Sequence, residues 1–202
     1  MLFRSLSEYR NCHCFPNVYT YLKDYTPKMV MIDNHNAVTE YKTVLRTIDF
    51  DFFIKDHVKS IKTDKGVEKI NKNITCLDLL NKVTDFVNER GNLFTGGIVL
   101  KEFVNLKKYN DKTNEWRFFF LTGQLLDNMQ NSNLKTDICP NLNYVFEVYS
   151  KISHTSNFFT IDFAELVDGS WIVIETGDGQ VSGFPSDFKS ISFYNKLKQI
   201  SL

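Results

Sequence analysis

The stretch FFTIDFAELVDGSWIVIETGDGQVSG, residues 158–183, decides the fold. It reads as two strands, 158–166 and 171–175, joined at Asp168-Gly169. An Asp-Gly pair between β-rich runs is a strong hairpin signal, because the tight two-residue turn needs positive φ at both central residues. Antiparallel pairing brings Asp162, near the start of the first strand, level with Glu175 at the end of the second. Asp178 follows in a loop, where Gly177 and Gly179 let the backbone pass close to a bound group. Oxygen ligands converging from two strands and one loop suit a hard cation such as Mg²⁺, which takes carboxylates together with phosphate oxygens. The competing reading is that these are ordinary solvated hairpin carboxylates. Against it, Asp162 lies inside the apolar run FFTIDFA and Glu175 ends the run WIVIE, where an unpaired carboxylate is costly.

Upstream, residues 115–121 (EWRFFFL) form a buried strand that turns at Thr122-Gly123 into 124–127. Alternation puts Glu115, Arg117 and Phe119 on one face and Trp116, Phe118 and Phe120 on the other. Glu115 and Arg117 either pair with each other or line a cleft. In the cleft reading, the planar fork of Arg117 suits a phosphoryl group. Residues 97–106 (GIVLKEFVNL) read as a nearly continuous apolar strand broken by Lys101-Glu102. Phe52, Phe53 and Ile54 make a shorter one with Lys55 immediately after it, and a lysine in that position meets phosphate as a compact charge. Lys59 and Lys62 follow, Lys62 being read as a solvated loop residue. Residues 63–73 are polar with one glycine and read as a mobile loop, a lid over phosphates.

The remaining elements are scaffold. Residues 34–48 have helical apolar spacing, and Thr75 opens a helix whose stripe is Leu79, Leu80, Val83, Phe86 and Val87, stopped by Gly91. Pro140 begins another through 153, and 187–200 closes the chain as a helix. His154 follows the 140–153 helix, where an imidazole meets the last carbonyls more readily than a substrate. Residues 128–137 read as a surface loop. Residues 1–34 read as irregular, with a short helix after Pro16.

The chain has 202 residues, enough for one good core or two small lobes, and 24 basic residues balance 24 acidic ones. With zero formal charge, no field draws it to nucleic acid or an acidic membrane. No apolar run approaches the roughly 18 residues that span a bilayer, and the start MLFRSLSEYRNCHC lacks the apolar core of a signal peptide. Four cysteines are few for this length and fit reduced thiols in a cytosol. Cys12-His13-Cys14 has no second Cys/His pair at zinc-site spacing.

The order strand-Asp162, hairpin, strand-Glu175, Gly/Asp loop resembles the magnesium hairpin of the ATP-grasp superfamily. The ending IETGDGQVSGFP resembles a viral and bacterial clade of it, named for one arginine and two lysines. Lys55-Asp56-x-x-Lys59-Ser60 is similar to the clade's Lys-Asp-x-x-Lys-Ser motif, and Glu115-x-Arg117-x-Phe119 to its Glu-x-Arg-x-Phe run. The resemblance implies that Lys55 and Lys59 contact ATP phosphates, Glu115 the ribose, and Arg117 the phosphates. It also implies that the backbone near Glu102 and Val104 reads the adenine edge, with Lys101 where the clade often has arginine. Asp162, Glu175 and Asp178 would hold Mg²⁺, Asp178 replacing the Asn of the usual Glu-x-Asn.

The implied fold is α+β ATP-grasp: two small lobes of antiparallel sheet plus helices, with ATP between them. The expected division is an N-terminal segment 1–33, a first lobe 34–96 and a second 97–202. The implied activity is a cytoplasmic (host-cytoplasmic if viral), ATP- and Mg-dependent carboxylate–amine ligase acting through an acyl phosphate. Its partners would be ATP and a carboxylate-bearing small molecule, peptide or protein acceptor, with neither membrane nor nucleic acid. The alternative is an ATP-binding interaction or assembly-chaperone protein of the same fold.

Overall fold

In the computed structural model, residues 5–62, 66–130, 134, 136–185 and 190–200 are described. In chain order the elements are α1 (Leu6–His13), α2 (Phe15–Leu22), β1 (Met29–Ile32), α3 (Val38–Thr47), β2 (Phe52–Lys55), α4 (Cys76–Arg90), β3 (Ile98–Glu102), β4 (Lys108–Tyr109), β5 (Lys112–Thr113), β6 (Glu115–Leu121), β7 (Gln124–Gln130), α5 (Leu142–Ile152), β8 (Phe158–Glu165), β9 (Trp171–Asp178) and α6 (Ser190–Ile200). Part of the expected lid, part of the 128–137 loop and the start expected for the last helix lie outside the described residues. The chain divides into two compact units, residues 27–104 and residues 1–26 with 105–202.

In the 27–104 unit, β3 is the centre of a three-stranded antiparallel sheet, order β1-β3-β2. Alternation sends Phe52, Ile98, Leu100 and Ile32 to one face, where they pack with Tyr41 and Val44 of α3 and Leu79, Val83 and Phe86 of α4. The α4 stripe is the one its sequence spacing predicts. Thr75 caps it, its Oγ1 accepting from the Asp78 amide at 3.1 Å, and Gly91 ends it with φ +49°. Two expectations about this region change. The run MVMI, inside the segment read as irregular, is strand β1. Because β3 pairs with β1 and β2, it belongs with the 27–104 sheet, rather than opening a lobe at residue 97.

The other unit is built on a four-stranded antiparallel sheet, order β7-β6-β8-β9. One face carries Phe118, Phe120, Phe159 and Phe163 against α5, where Tyr149 stacks on Phe120 with centroids 4.4 Å apart. The opposite face carries Phe119 and Phe158, packed with Phe184 and with Phe193 of α6. Beside these, the same face bears Arg117, Asp162 and Glu175. The free edge of β9 is covered: the Val173 amide donates to Tyr25 O at 2.7 Å, and Thr26 Oγ1 donates to Val173 O at 2.8 Å. The N-terminal segment is two helices rather than one. Ser5 and Glu8 form a reciprocal capping box that starts α1.

The Asp168-Gly169 hairpin forms, but with a different turn from the one expected. Only Gly169 has positive φ, +86°, and the Leu166 amide donates to Ser170 O, which is the three-residue hairpin with glycine in the left-handed position. Paired positive φ occurs instead at Asn110-Asp111, between β4 and β5, and at Thr122-Gly123, between β6 and β7. Thr122 holds φ +45°, a strained value for a β-branched residue. Thr122→Gly is therefore expected to raise stability by about 1 kcal/mol, read from the urea midpoint.

Candidate functional site

In the 27–104 unit the charged residues gather on the sheet face opposite the helices. Register sets Phe53 across from Lys101 and Lys55 across from Val99, so Lys55 and Lys101 share that face, and both are buried. The loop after β2 then folds on itself. Lys55 bridges to Ser60, the Asp56 amide donates to Lys59 O at 2.9 Å, and Lys55 Nζ donates to Val58 O at 3.5 Å.

The loop's organiser is a residue that the sequence reading passed over. Asp56 is fully buried. Its Oδ1 accepts from the Val58 and Lys59 amides at 2.7 and 2.6 Å, and its Oδ2 accepts from Arg90 Nε at 3.0 Å and the Thr95 amide at 3.3 Å. A carboxylate followed two residues on by a backbone N–H is the Asx turn, a signal available in the sequence. Arg90, the last residue of α4, has no local signal, since its partner lies 34 residues upstream.

Glu102 ends β3. Its amide donates to Lys28 O at 2.8 Å and its Oε2 accepts from the Lys28 amide at 2.9 Å. That amide is committed to the chain, which leaves the Glu102 carbonyl and the Val104 amide as the groups to weigh for an adenine edge. Val104 lies just beyond β3, after Phe103, whose amide donates to Asp51 O.

In the other unit, register sets Arg117 opposite Asp162 and Asp162 opposite Glu175. Directly opposed residues share a face, so the three form one row across β6, β8 and β9. Glu115 lies on the same face two residues before Arg117, and its Oε1 accepts from Thr113 Oγ1 at 2.6 Å. Arg117 grips Asp162 with both arms of a fork, Nε to Oδ1 at 2.8 Å and Nη2 to Oδ2 at 2.6 Å, while Nη1 donates to Gly183 O at 3.0 Å. The choice left open for Glu115 and Arg117 thus has a third outcome: the guanidinium pairs with Asp162. Burial pushes the Asp162 carboxyl up; the Arg117 hydrogen bonds and charge pull against it, and Glu175 and Glu115 add to the push. Burial opposes the Arg117 cation, but its bonds to Asp162 and the neighbouring carboxylates outweigh this and raise its pKa.

Asp178 is not brought to this pair. Strand β9 runs three residues beyond Glu175, with Thr176 opposite Ile161 and Asp178 opposite Phe159. Asp178 therefore falls on the α5 face with Phe159, opposite the face of Asp162 and Glu175. It is fully buried, and its amide donates to His13 Nδ1 at 3.3 Å. Gly177, expected in a loop, is a strand residue whose added Cβ would come within 2.8 Å of Thr160 Oγ1 and 2.9 Å of Ser182 Oγ.

Among the described residues, no three His, Cys, Asp or Glu side chains are grouped to hold a metal by themselves. Two opposed carboxylates nevertheless fit Mg²⁺, which commonly takes one or two protein carboxylates and completes its shell with phosphate oxygens and water. Glu165 is a useful contrast. It too is buried, but it accepts from Lys107, Tyr109 and Asn114; burial raises its pKa and those bonds more than reverse the shift. It pins the β4–β5 hairpin and has no unbalanced charge to offer a ligand.

Two α+β units on antiparallel sheets, one with a lysine loop and the other with an Arg–Asp–Glu row, are the makings of an ATP-grasp fold. The chain belongs to an ATP-grasp domain family, the third family of the clade named for one arginine and two lysines, whose model matches residues 18–197. Among solved structures it is similar to the ATP-grasp ligase PsnB complexed with minimal precursor, Mg and ADP, with a TM-score of 0.55 and 12% identity over 99% of this chain. It is also similar to N5-carboxyaminoimidazole synthetase from Staphylococcus aureus complexed with ADP (TM-score 0.62, 12% identity, 98% of this chain). A third likeness is to L-amino acid ligase from Bacillus licheniformis (TM-score 0.52, 14% identity, 85% of this chain). The chain spans 62%, 54% and 41% of the lengths of those three proteins. No curated protein matches it in sequence. Among the described residues, no helix is long and apolar enough to cross a membrane.

Proposed function

We propose that the chain is an ATP- and Mg-dependent carboxylate–amine ligase that works through an acyl phosphate. The observation that carries this reading is the Arg117–Asp162–Glu175 row, one fork-shaped cation and two opposed carboxylates on a single sheet face. In this reading Lys55 and Lys59 take nucleotide phosphates, and Lys101, next to Glu102, belongs to the adenine side of the site. The Glu102 carbonyl and Val104 amide meet the adenine edge, and Glu115 meets the ribose. Asp162 and Glu175 would hold Mg²⁺, which when bound neutralises charge on the β- and γ-phosphates. Asp178 would act from the other face, holding the turn after β9, where its carbonyl accepts from the Val181 and Ser182 amides at 3.2 and 3.0 Å.

The acceptor carboxylate attacks the γ-phosphorus and ADP leaves; an amine then attacks the acyl carbon and expels phosphate, forming the amide. The protein supplies electrostatics rather than a nucleophile. Arg117 orients Asp162 through two arms, and the edge bonded to Gly183 O is the one a phosphoryl oxygen would take. The acceptor class proposed is a carboxylate-bearing small molecule, peptide or protein.

The test has two stages. Mg·ATP at ~100 Kd is expected to stabilise the protein by about 2.7 kcal/mol, read as a thermal shift. Glu175→Gln is expected to remove the magnesium dependence of that shift and to cost the apo protein less than about 1 kcal/mol, because relief of repulsion with Asp162 offsets the lost support of the Arg117 charge. Sustained turnover to ADP and phosphate should then require a carboxylate and an amine together, the carboxylate alone giving at most one ADP per site. Binding without turnover across a broad acceptor panel would favour an ATP-binding, non-ligase role, and a melt unmoved by Mg·ATP would sink both.

A further inference from the structure

We infer that His57 is a positioning residue for the lysine loop, its imidazole locking residues 55–60 to the Gly96-Gly97 segment that leads into β3. This rests on the assignment of that loop to nucleotide phosphates. His57 stands between Asp56 and Val58 in the run that carries Lys55 and Lys59, and it is tied to the 95–97 segment twice. Its amide donates to Thr95 O at 3.1 Å, and its Nε2 accepts from the Gly97 amide at 2.9 Å.

The ring also lies directly over Gly96. A Cβ added there would come within 2.1 Å of Nδ1 and 2.4 Å of Cγ, and Gly96 has φ +74°. Glycine is thus required at 96 by the ring above it as well as by the backbone. Asp56, one residue earlier, ties the same two segments by accepting from the Thr95 amide while it holds the Lys59 amide. The fold of the lysine loop is therefore set from residues 95–97, and His57 supplies the imidazole of that tie.

An Nε2 that accepts a hydrogen bond carries no proton. Protonation of that nitrogen puts two donors face to face and breaks the contact. The charges around the ring are Lys55, which disfavours the imidazolium, and Asp56 and Asp33, which favour it, with Arg90 paired to Asp56. Burial, seconded by Lys55, holds His57 below its ordinary value of 6.5. The sign follows: the unfolded or released histidine binds the proton more readily, so the locked loop is fully stable above pH 6.5 and loses stability as pH falls below it.

The experiment uses the whole chain, with amide exchange measured as protection factors at Gly97, Val58 and Lys59 between pH 5 and 8, and Kd for Mg·ATP over the same range. Protection in the wild type is expected to fall as pH drops below about 6.5, with Kd rising about tenfold, the scale of one lost hydrogen bond. His57→Phe keeps a ring over Gly96 without an acceptor and should show low protection at every pH. His57→Gln retains an acceptor that does not titrate and should give a flat, protected profile. Gly97 protection unchanged in His57→Phe, or His57→Gln titrating like wild type, would overturn the inference. Protection that tracks His57 in a protein that binds no Mg·ATP would uphold the coupling and instead sink the nucleotide assignment.

Discussion

Asp162→Asn is expected to lower the stability of the apo protein by about 3 kcal/mol, the lower end of the cost of stranding one partner of a buried ion pair. The Asp162 side chain is 3% exposed and that of Arg117 is 13% exposed, so neither charge can turn to water when the other is removed. Glu115 and Glu175 stand near enough to Arg117 to support its charge, which places the cost at the lower end. For a domain of this size the melting midpoint should fall roughly 6–12 °C. Read as a pure metal ligand beside Glu175, Asp162 would lose only like-charge repulsion and the apo fold would stay intact; the two-armed grip of Arg117 reverses that expectation. Asp162→Asn should therefore lose both stability and magnesium-dependent nucleotide binding, whereas Glu175→Gln loses chiefly the second. A midpoint within about 2 °C of wild type for Asp162→Asn, less than 1 kcal/mol on this scale, would mean that the pair does not hold the sheet face together. Replacing Arg117 and Asp162 together with leucine should recover most of the loss, because no buried charge is then left alone.

The sequence made legible what depends on short-range pattern. The Asp168-Gly169 pair located the β8–β9 hairpin, but Asp162 comes opposite Glu175 only because a register shift between Asp162 and Phe163 offsets the extra residue of the three-residue turn. Alternation along EWRFFFL set Arg117 on one face of β6, and Thr75 and Gly91 marked the ends of α4. What failed was long-range or cumulative. That Arg117 faces Asp162 depends on β6 lying beside β8, a neighbour relation across 45 residues that no local pattern encodes. Asp178 was misplaced because Gly177 was read as a loop signal. In the sheet Gly177 serves the opposite purpose, letting Thr160 and Ser182 approach the strand, so alternation continues and turns Asp178 to the far face. Strand β1 is four residues that become a strand only by pairing with β3. The Ser5-x-x-Glu8 capping box, by contrast, stood in the sequence unread. The matched family makes the lysines and Arg117 the natural focus, yet what fixes them is Asp56, a motif position given no role from the sequence, together with His57 and Gly183 O.

Asp56→Asn is expected to destabilise the 27–104 unit by about 3–5 kcal/mol. The carboxylate has no exposed surface, and both of its oxygens are engaged by donors. The asparagine side chain keeps one oxygen. If that oxygen stays on the Val58 and Lys59 amides, the new NH2 group faces Arg90 Nε and the Thr95 amide, donor against donor. If it flips, the Lys59 side of the loop loses its acceptor instead. Either way Arg90 loses its buried counter-charge, while its bond to Leu93 O at 2.9 Å remains. Arg90→Leu should cost less, because the remaining Asp56 carboxylate still accepts three backbone N–H groups and such bonds sustain a buried anion. Urea unfolding of both variants measures the ranking. A loss below 1 kcal/mol for Asp56→Asn, or Arg90→Leu falling further than Asp56→Asn, would mean that the loop's shape comes from its backbone bridge between Lys55 and Ser60 rather than from the carboxylate.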